Sequence, residues 1–165
     1  MIRRLIPVLL ILFPAAAHGF DPRSVDIIDF RLGMTEAEVT RIIERQGFRD
    51  STFRRQDAPC TGSVDRRCVT AIEVRTRDGG LRFNFAAGVS EPTVERISYT
   101  FDGRKPNEPD ALERAVVDRY GPPTMQTPMI WCDRRPGTGP CPAAEPRLTF
   151  APGQGSTRVL TLSLR

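Results

Sequence analysis

Side chains able to do acid-base or covalent chemistry are scarce in this sequence. His18 is the single histidine among 165 residues. The commonest general base, most nucleophilic triads and most catalytic metal sites are therefore closed to the remainder of the chain. Were His18 to become an amino terminus, its amine and ring could hold copper, but the further histidine ligand of such a centre is missing. A carboxylate pair for sugar hydrolysis must face across a cleft, and the Asp and Glu residues here fall mainly on helix faces and in turns. The stretch around Gly137 and Gly139 contains proline and follows no strand-to-helix pattern, so it makes no phosphate loop. The expectation is a chain without catalytic residues, metal or cofactor, with an envelope enzyme of unfamiliar type as the different-class alternative.

Four cysteines remain: Cys60, Cys68, Cys132 and Cys141. Residues 1–19 open with Arg3 and Arg4, run apolar from Leu5 to Phe13 and end in small residues, the pattern of a secretory signal peptide. Cleavage after Ala17 or after Gly19 both fit. The apolar run is too short to cross a bilayer, and no lipobox cysteine lies nearby. An even cysteine count in an oxidising compartment predicts disulfides. The close spacing within each pair favours two local bridges, Cys60 to Cys68 and Cys132 to Cys141, over a four-cysteine zinc site, whose usual C-x2-C spacing is absent. Localisation in the periplasm or outside the cell follows, with no membrane span after cleavage.

Losing residues 1–19 removes two arginines and no acid, which lowers the net charge from +4 to +2. That excludes the clustered basicity of a nucleic-acid protein. Lys105 is the single lysine, so the positive charge is nearly all arginine, and arginine favours planar pairing with carboxylates. Three arginine pairs, Arg54-Arg55, Arg66-Arg67 and Arg134-Arg135, fall in or beside the cysteine loops. With Trp131 they form a candidate binding rim for an acidic protein, or for anionic glycans and lipid head groups. The competing reading makes them solvated loop arginines beside a core tryptophan.

The elements that must position these residues are well marked. In LGMTEAEVTRIIERQGF (32–48), Thr35 and Glu38 form a capping box, and Met34 and Val39 a hydrophobic staple. Val39, Ile42 and Ile43 make one apolar stripe, and Gly47 stops the helix with Phe48 folding back. Just upstream, residues 24–29 could form a helical turn feeding Phe30 and Leu32 into the core. A second helix is predicted in NEPDALERAVVDRYGPP (107–123), capped by Asn107 or Asp110, with Leu112, Ala115, Val116 and Tyr120 inward and Gly121 as the stop. Gly47 to Gly121, Cys60 to Cys132 and Cys68 to Cys141 are spaced by 74, 72 and 73 residues. Such regularity points to an internal duplication.

Beyond each cysteine pair the period becomes two, predicting strands at 69–77, 81–87, 94–101, 128–132, 147–151 and 156–165, with Asp78-Gly79 as a turn. The expected fold is α+β: tandem helix-plus-antiparallel-sheet repeats, 20–103 and 104–165, sharing one compact domain with the helices on one face of the sheet.

The stretch DFRLGMTEAEVTRIIERQGF (29–48) resembles the Gly-Met-Thr-x-x-x-Val helix start of β-lactamase inhibitor protein and of small outer-membrane lipoproteins of the SmpA/OmlA type. The matching positions are Gly33, Met34, Thr35, Val39 and Gly47. The inhibitor is similar also in its tandem layout and in a disulfide just beyond its helices. The resemblance implies a non-catalytic protein-binding module of the cell envelope, in an inhibitor-like or assembly-accessory role. The second helix lacks Gly-Met-Thr, no residue-level match to the inhibitor's contacts is found, and inhibition of a β-lactamase is not carried over.

Overall fold

The computed structural model describes residues 20–48, 53–60, 65–76, 79–87, 91–101, 109–133 and 139–164. Helix α1 (Glu36–Arg45) is followed by strands β1 (Arg54–Pro59), β2 (Arg67–Thr76), β3 (Gly79–Phe85) and β4 (Val94–Phe101). Helix α2 (Pro109–Tyr120) is followed by β5 (Met125–Gln126), β6 (Met129–Cys132), β7 (Arg147–Pro152) and β8 (Arg158–Ser163). All eight strands join one antiparallel sheet in the order β1-β2-β3-β4-β8-β7-β6-β5. A helix followed by four strands thus occurs twice, and the two strand sets meet along β4 and β8. The architecture is mostly sheet, with two helices and two disulfides.

The caps of α1 form as its sequence dictates. Glu38 N donates to Thr35 Oγ1 at 3.4 Å, and Thr35 N donates back to Glu38 Oε2 at 2.8 Å. Those two bonds close the capping box. The Thr35 backbone bond, and next a bond in which Thr35 Oγ1 donates to Glu38 Oε2 at 3.0 Å, hold the Glu38 carboxyl below its ordinary range. At the far end Gly47 N donates to Glu44 O and Phe48 N to Ile43 O, with Gly47 at φ +69. This is the paired-bond stop in which a left-handed residue satisfies the last carbonyls. Upstream, Gly33 sits at φ +83 while its N donates to Val94 O and Met34 O accepts from Val94 N, both at 2.8 Å. The Gly-Met-Thr segment is therefore a short tie to β4 as well as a helix start.

Residues 24–29 are not the helical turn expected. Ile27 and Phe30 exchange backbone bonds of 2.9 and 3.1 Å around Ile28 and Asp29, whose φ values are +54 and +69. A β-branched residue there costs on the order of 1–3 kcal/mol and persists when its surroundings impose it. Gln46 Nε2 donates to Asp29 Oδ2 at 2.8 Å and to Ile28 O at 3.4 Å, from the end of α1. Tyr120 Oη donates to Asp26 O at 2.9 Å, and Arg119 reaches Asp26 Oδ1 at 2.6 Å, from the end of α2. Both helix ends thus grip the same turn. In α2, Val116 is buried, and Leu112, Val117 and Tyr120 pack on the core, whereas Ala115 is exposed rather than inward. The predicted caps Asn107 and Asp110 lie outside the described side chains.

The core runs straight across the sheet. Ile72, Phe83, Ile97, Leu162, Leu148 and Trp131 are successive register partners from β2 to β6, and each is 0% exposed. Val74, Leu81, Tyr99, Leu160, Phe150 and Met129 form the adjoining row. Full burial of each large side chain contributes about 1.5–3 kcal/mol. Val39, Ile42, Ile43 and Val116 of the helices belong to the same hydrophobic cluster as these rows.

Candidate binding surface

Alternation sends every other residue of these strands to the opposite face of the sheet. Its central row is Arg54, Glu73, Arg82, Ser98, Thr161, Thr149 and Ile130, none of which is buried. Ser98 Oγ and Thr161 Oγ1 lie 3.3 Å apart across the seam between the two halves. Arg82 pairs with Glu73 from the neighbouring strand. A second row, Arg75, Gly80 and Thr100, borders the first. With no side chain at Gly80, the face dips there into a depression of about 240 Å³, lined by Arg54, Glu73, Arg75, Arg82 and Thr100 among others.

A register irregularity sets which residues of β2 reach which side. Gln56 pairs with Ala71 and Asp57 with Val69, leaving Thr70 as an extra residue whose Oγ1 donates to Gln56 O at 3.1 Å. Strict alternation would put Val69 and Ile72 on opposite faces. The bulge restores both to the core side, where both are buried.

Arg54 and Arg55 do not act as a pair. Arg54 lies in the open row, whereas Arg55 partners Ile72 on the core side and forms ion pairs with Glu36 of α1 and with Asp57. The bond to Asp57, then the nearby Glu36, raises the Arg55 guanidinium above its ordinary range. Arg66 and Arg67 are exposed where the Cys60 to Cys68 bridge closes the β1–β2 hairpin, and Arg67 donates to Asp57 O at 3.1 Å. Arg134 and Arg135 lie outside the described residues, as does Asp78.

Trp131 is not on a rim. It is wholly enclosed, donates its Nε1 hydrogen to Gly121 O at 2.8 Å, and packs against Phe20 and Tyr120. Both disulfides form as local bridges. They close the same end of the sheet, because β2 and β7 run in the same direction, but they sit on opposite flanks. Five strand spacings separate β2 from β6, roughly 24 Å at ~4.8 Å each. The two bridges, the first with Arg66 and Arg67 beside it, therefore stand well apart on the sheet.

Sequence reasoning passed over Arg75, Gly80, Arg82, Ser98, Thr100 and Thr161. Their signal was the polar phase of the same alternating strands whose apolar phase marked the core. Among the described residues no group of three His, Cys, Asp or Glu side chains is placed to hold a metal ion. No helix among them is long and apolar enough to cross a membrane. No protein-family model, curated protein or solved structure matches the chain.

Proposed function

We propose that the chain is a secreted or periplasmic, non-catalytic protein-binding module of the cell envelope, exported by the signal peptide at residues 1–19. The observation that carries the reading is the two-sidedness of the sheet. One face is a continuous apolar core, and the other is a broad surface of arginine, serine and threonine side chains. Both helices are taken to cover the apolar face, as the ion pair from Arg55 to Glu36 and the ring contact from Trp131 to Tyr120 favour. A flat face rich in arginine and hydroxyl donors suits a protein partner better than a small substrate, which needs a deep concave pocket.

The proposal includes an internal duplication. It is supported by the repeated helix-and-strands order and by the bridges, one joining the β1–β2 connection and the other the β6–β7 connection. Matched through the bridges, β1 corresponds to β6, β2 to β7 and β3 to β8; β4 then has no counterpart and β5 is an addition. Kinship with β-lactamase inhibitor protein and the SmpA/OmlA-type lipoproteins is proposed on Gly33, Met34, Thr35, Val39 and Gly47, together with this layout.

A crosslinked pull-down of the oxidised mature protein from an envelope extract of its source organism tests the reading, run beside the variant Ser98→Lys/Thr161→Lys. A protein captured by the parent and lost in the variant is the expected result. Capture of lipid or glycan alone, or of nothing, would reject it.

A further inference from the structure

The depression at Gly80 joins a cavity to cations that have no carboxylate partner. Of its three arginines, Arg82 is taken by Glu73. Arg54 and Arg75 have no ion-pair partner among the described residues, and both are exposed. The Glu73–Arg82 pair cancels, so the two remaining guanidiniums leave the depression with a local charge of about +2. At about 240 Å³ it is smaller than a site for a drug-sized ligand. It fits one side-chain-sized group.

The chemistry of that group is set by its surroundings. Guanidinium presents a planar fork of donors that matches a carboxylate through two parallel bonds. Along the central row the charge ends at Arg82, since the row continues through Ser98, Thr161 and Thr149, which are neutral; Arg96 and Arg147 of the same face stand in the row on the side away from Gly80. A polyanion, which gains affinity by neutralising successive charges, would find hydroxyls after the first contact, and Glu73 would repel a second negative charge. Phe53, the chain neighbour of Arg54, is 51% exposed and is the one large exposed hydrophobic residue among those described. Phe53 does not line the depression, so recognition there rests on the carboxylate.

We propose that the Gly80 depression receives a single Asp or Glu carboxylate from an extended segment of a partner protein, gripped by Arg54 and Arg75. This rests on the protein-binding reading and names the chemistry of its contact. The site stands on three strands tied in register, so it is preorganised.

The test is a titration of the oxidised mature protein at low ionic strength, followed by arginine Nε–Hε resonances. The probes are the capped tripeptide acetyl-Val-Glu-Val-amide, its glutamine counterpart and inorganic phosphate. The expected result is saturable shifts at Arg54 and Arg75 with the glutamate peptide, weakened about tenfold by Arg75→Gln, as for loss of one charged contact. Gly80→Val should weaken it equally by filling the dip. An added Cβ at Gly80 meets nothing nearer than Val74 O at 3.9 Å, and circular dichroism of the variant checks that the γ-methyls leave the fold intact.

No shift, equal shifts with the glutamine peptide, or tighter binding of phosphate would overturn the proposal. The pull-down separates the two claims. Capture undiminished by Gly80→Val removes the depression while the binding-module reading stands, whereas no capture by the parent removes the reading itself.

Discussion

Gly47 isolates what a single residue contributes. Its φ is +69, and no atom lies within 4 Å of where a Cβ would stand. Replacement by alanine therefore changes backbone conformation without a clash, and Gly47→Ala should destabilise by about 1 kcal/mol, read as a lower unfolding midpoint in urea. Glu38 makes a pH-dependent contribution. Its folded pKa is depressed, chiefly by the Thr35 backbone bond, so the stability it adds is present above the unfolded value and is lost as pH falls through the folded one. The difference in unfolding midpoint between the parent and Glu38→Gln should thus be larger at pH 6 than at pH 3, converging as the carboxyl protonates. These residues were legible from the chain because caps are local: donor and acceptor lie within five positions. Trp131 was ambiguous for the opposite reason. Its enclosure comes from Phe20, Tyr120 and Gly121, which spacing alone does not bring together. Its environment predicts a blue-shifted fluorescence that iodide quenches poorly, and since the chain has one tryptophan the spectrum reports on it alone. Trp131→Ala should cost about 3–5 kcal/mol, measured by thermal or urea unfolding.

Among the elements, strands with an apolar phase were legible and the others were not. Leu81, Phe83 and Phe85 alternate, as do Leu160 and Leu162, and all are buried. Strand β1 has the sequence RRQDAP and only one neighbour, so it carries almost no apolar phase, and the edge pairing that creates it is a tertiary fact. The two-residue β5 is too short to have a period. The turn at Ile28 and Asp29 was misjudged as helical because its conformation is imposed by Gln46 and Tyr120, distant in sequence. The bulge at Thr70 was hidden in an otherwise regular run. It yields a sharp expectation about length changes. Deleting Thr70 should leave Val69 opposite Asp57 and Ala71 opposite Gln56, and so preserve both faces and the Cys60 to Cys68 bridge. Deleting Glu73 should swing one side of β2 out of the core. Comparing the two by circular dichroism and free-thiol count distinguishes a tolerated from a disruptive deletion.

For the whole molecule, the seam between β4 and β8 is as well packed as the β7–β8 pair beside it. Ile97 meets Leu162 and Tyr99 meets Leu160 there, in the middle of both core rows. Each set of strands therefore completes the other's core. Fragments 20–103 and 104–165, prepared separately, should each lack a cooperative unfolding transition and regain one on mixing, a result circular dichroism would detect. Independent cooperative folding of either fragment would contradict a shared core. The succession of helix and strands was legible in the chain, but the joining of the two strand sets edge to edge was not written there, because strand order is set by which exposed edges can meet.

The sheet's two outer strands have a further consequence. An eight-stranded sheet with a free strand at each side offers two templates on which other copies could add. Here one side ends in β5, only two residues long, and the other in β1, where Arg54, Arg55 and Asp57 crowd the strand and Pro59 lacks an amide hydrogen to donate. The bulge at Thr70 adds local twist beside it. Each border is thereby a poor template for an added strand and a poor seed for fibril growth.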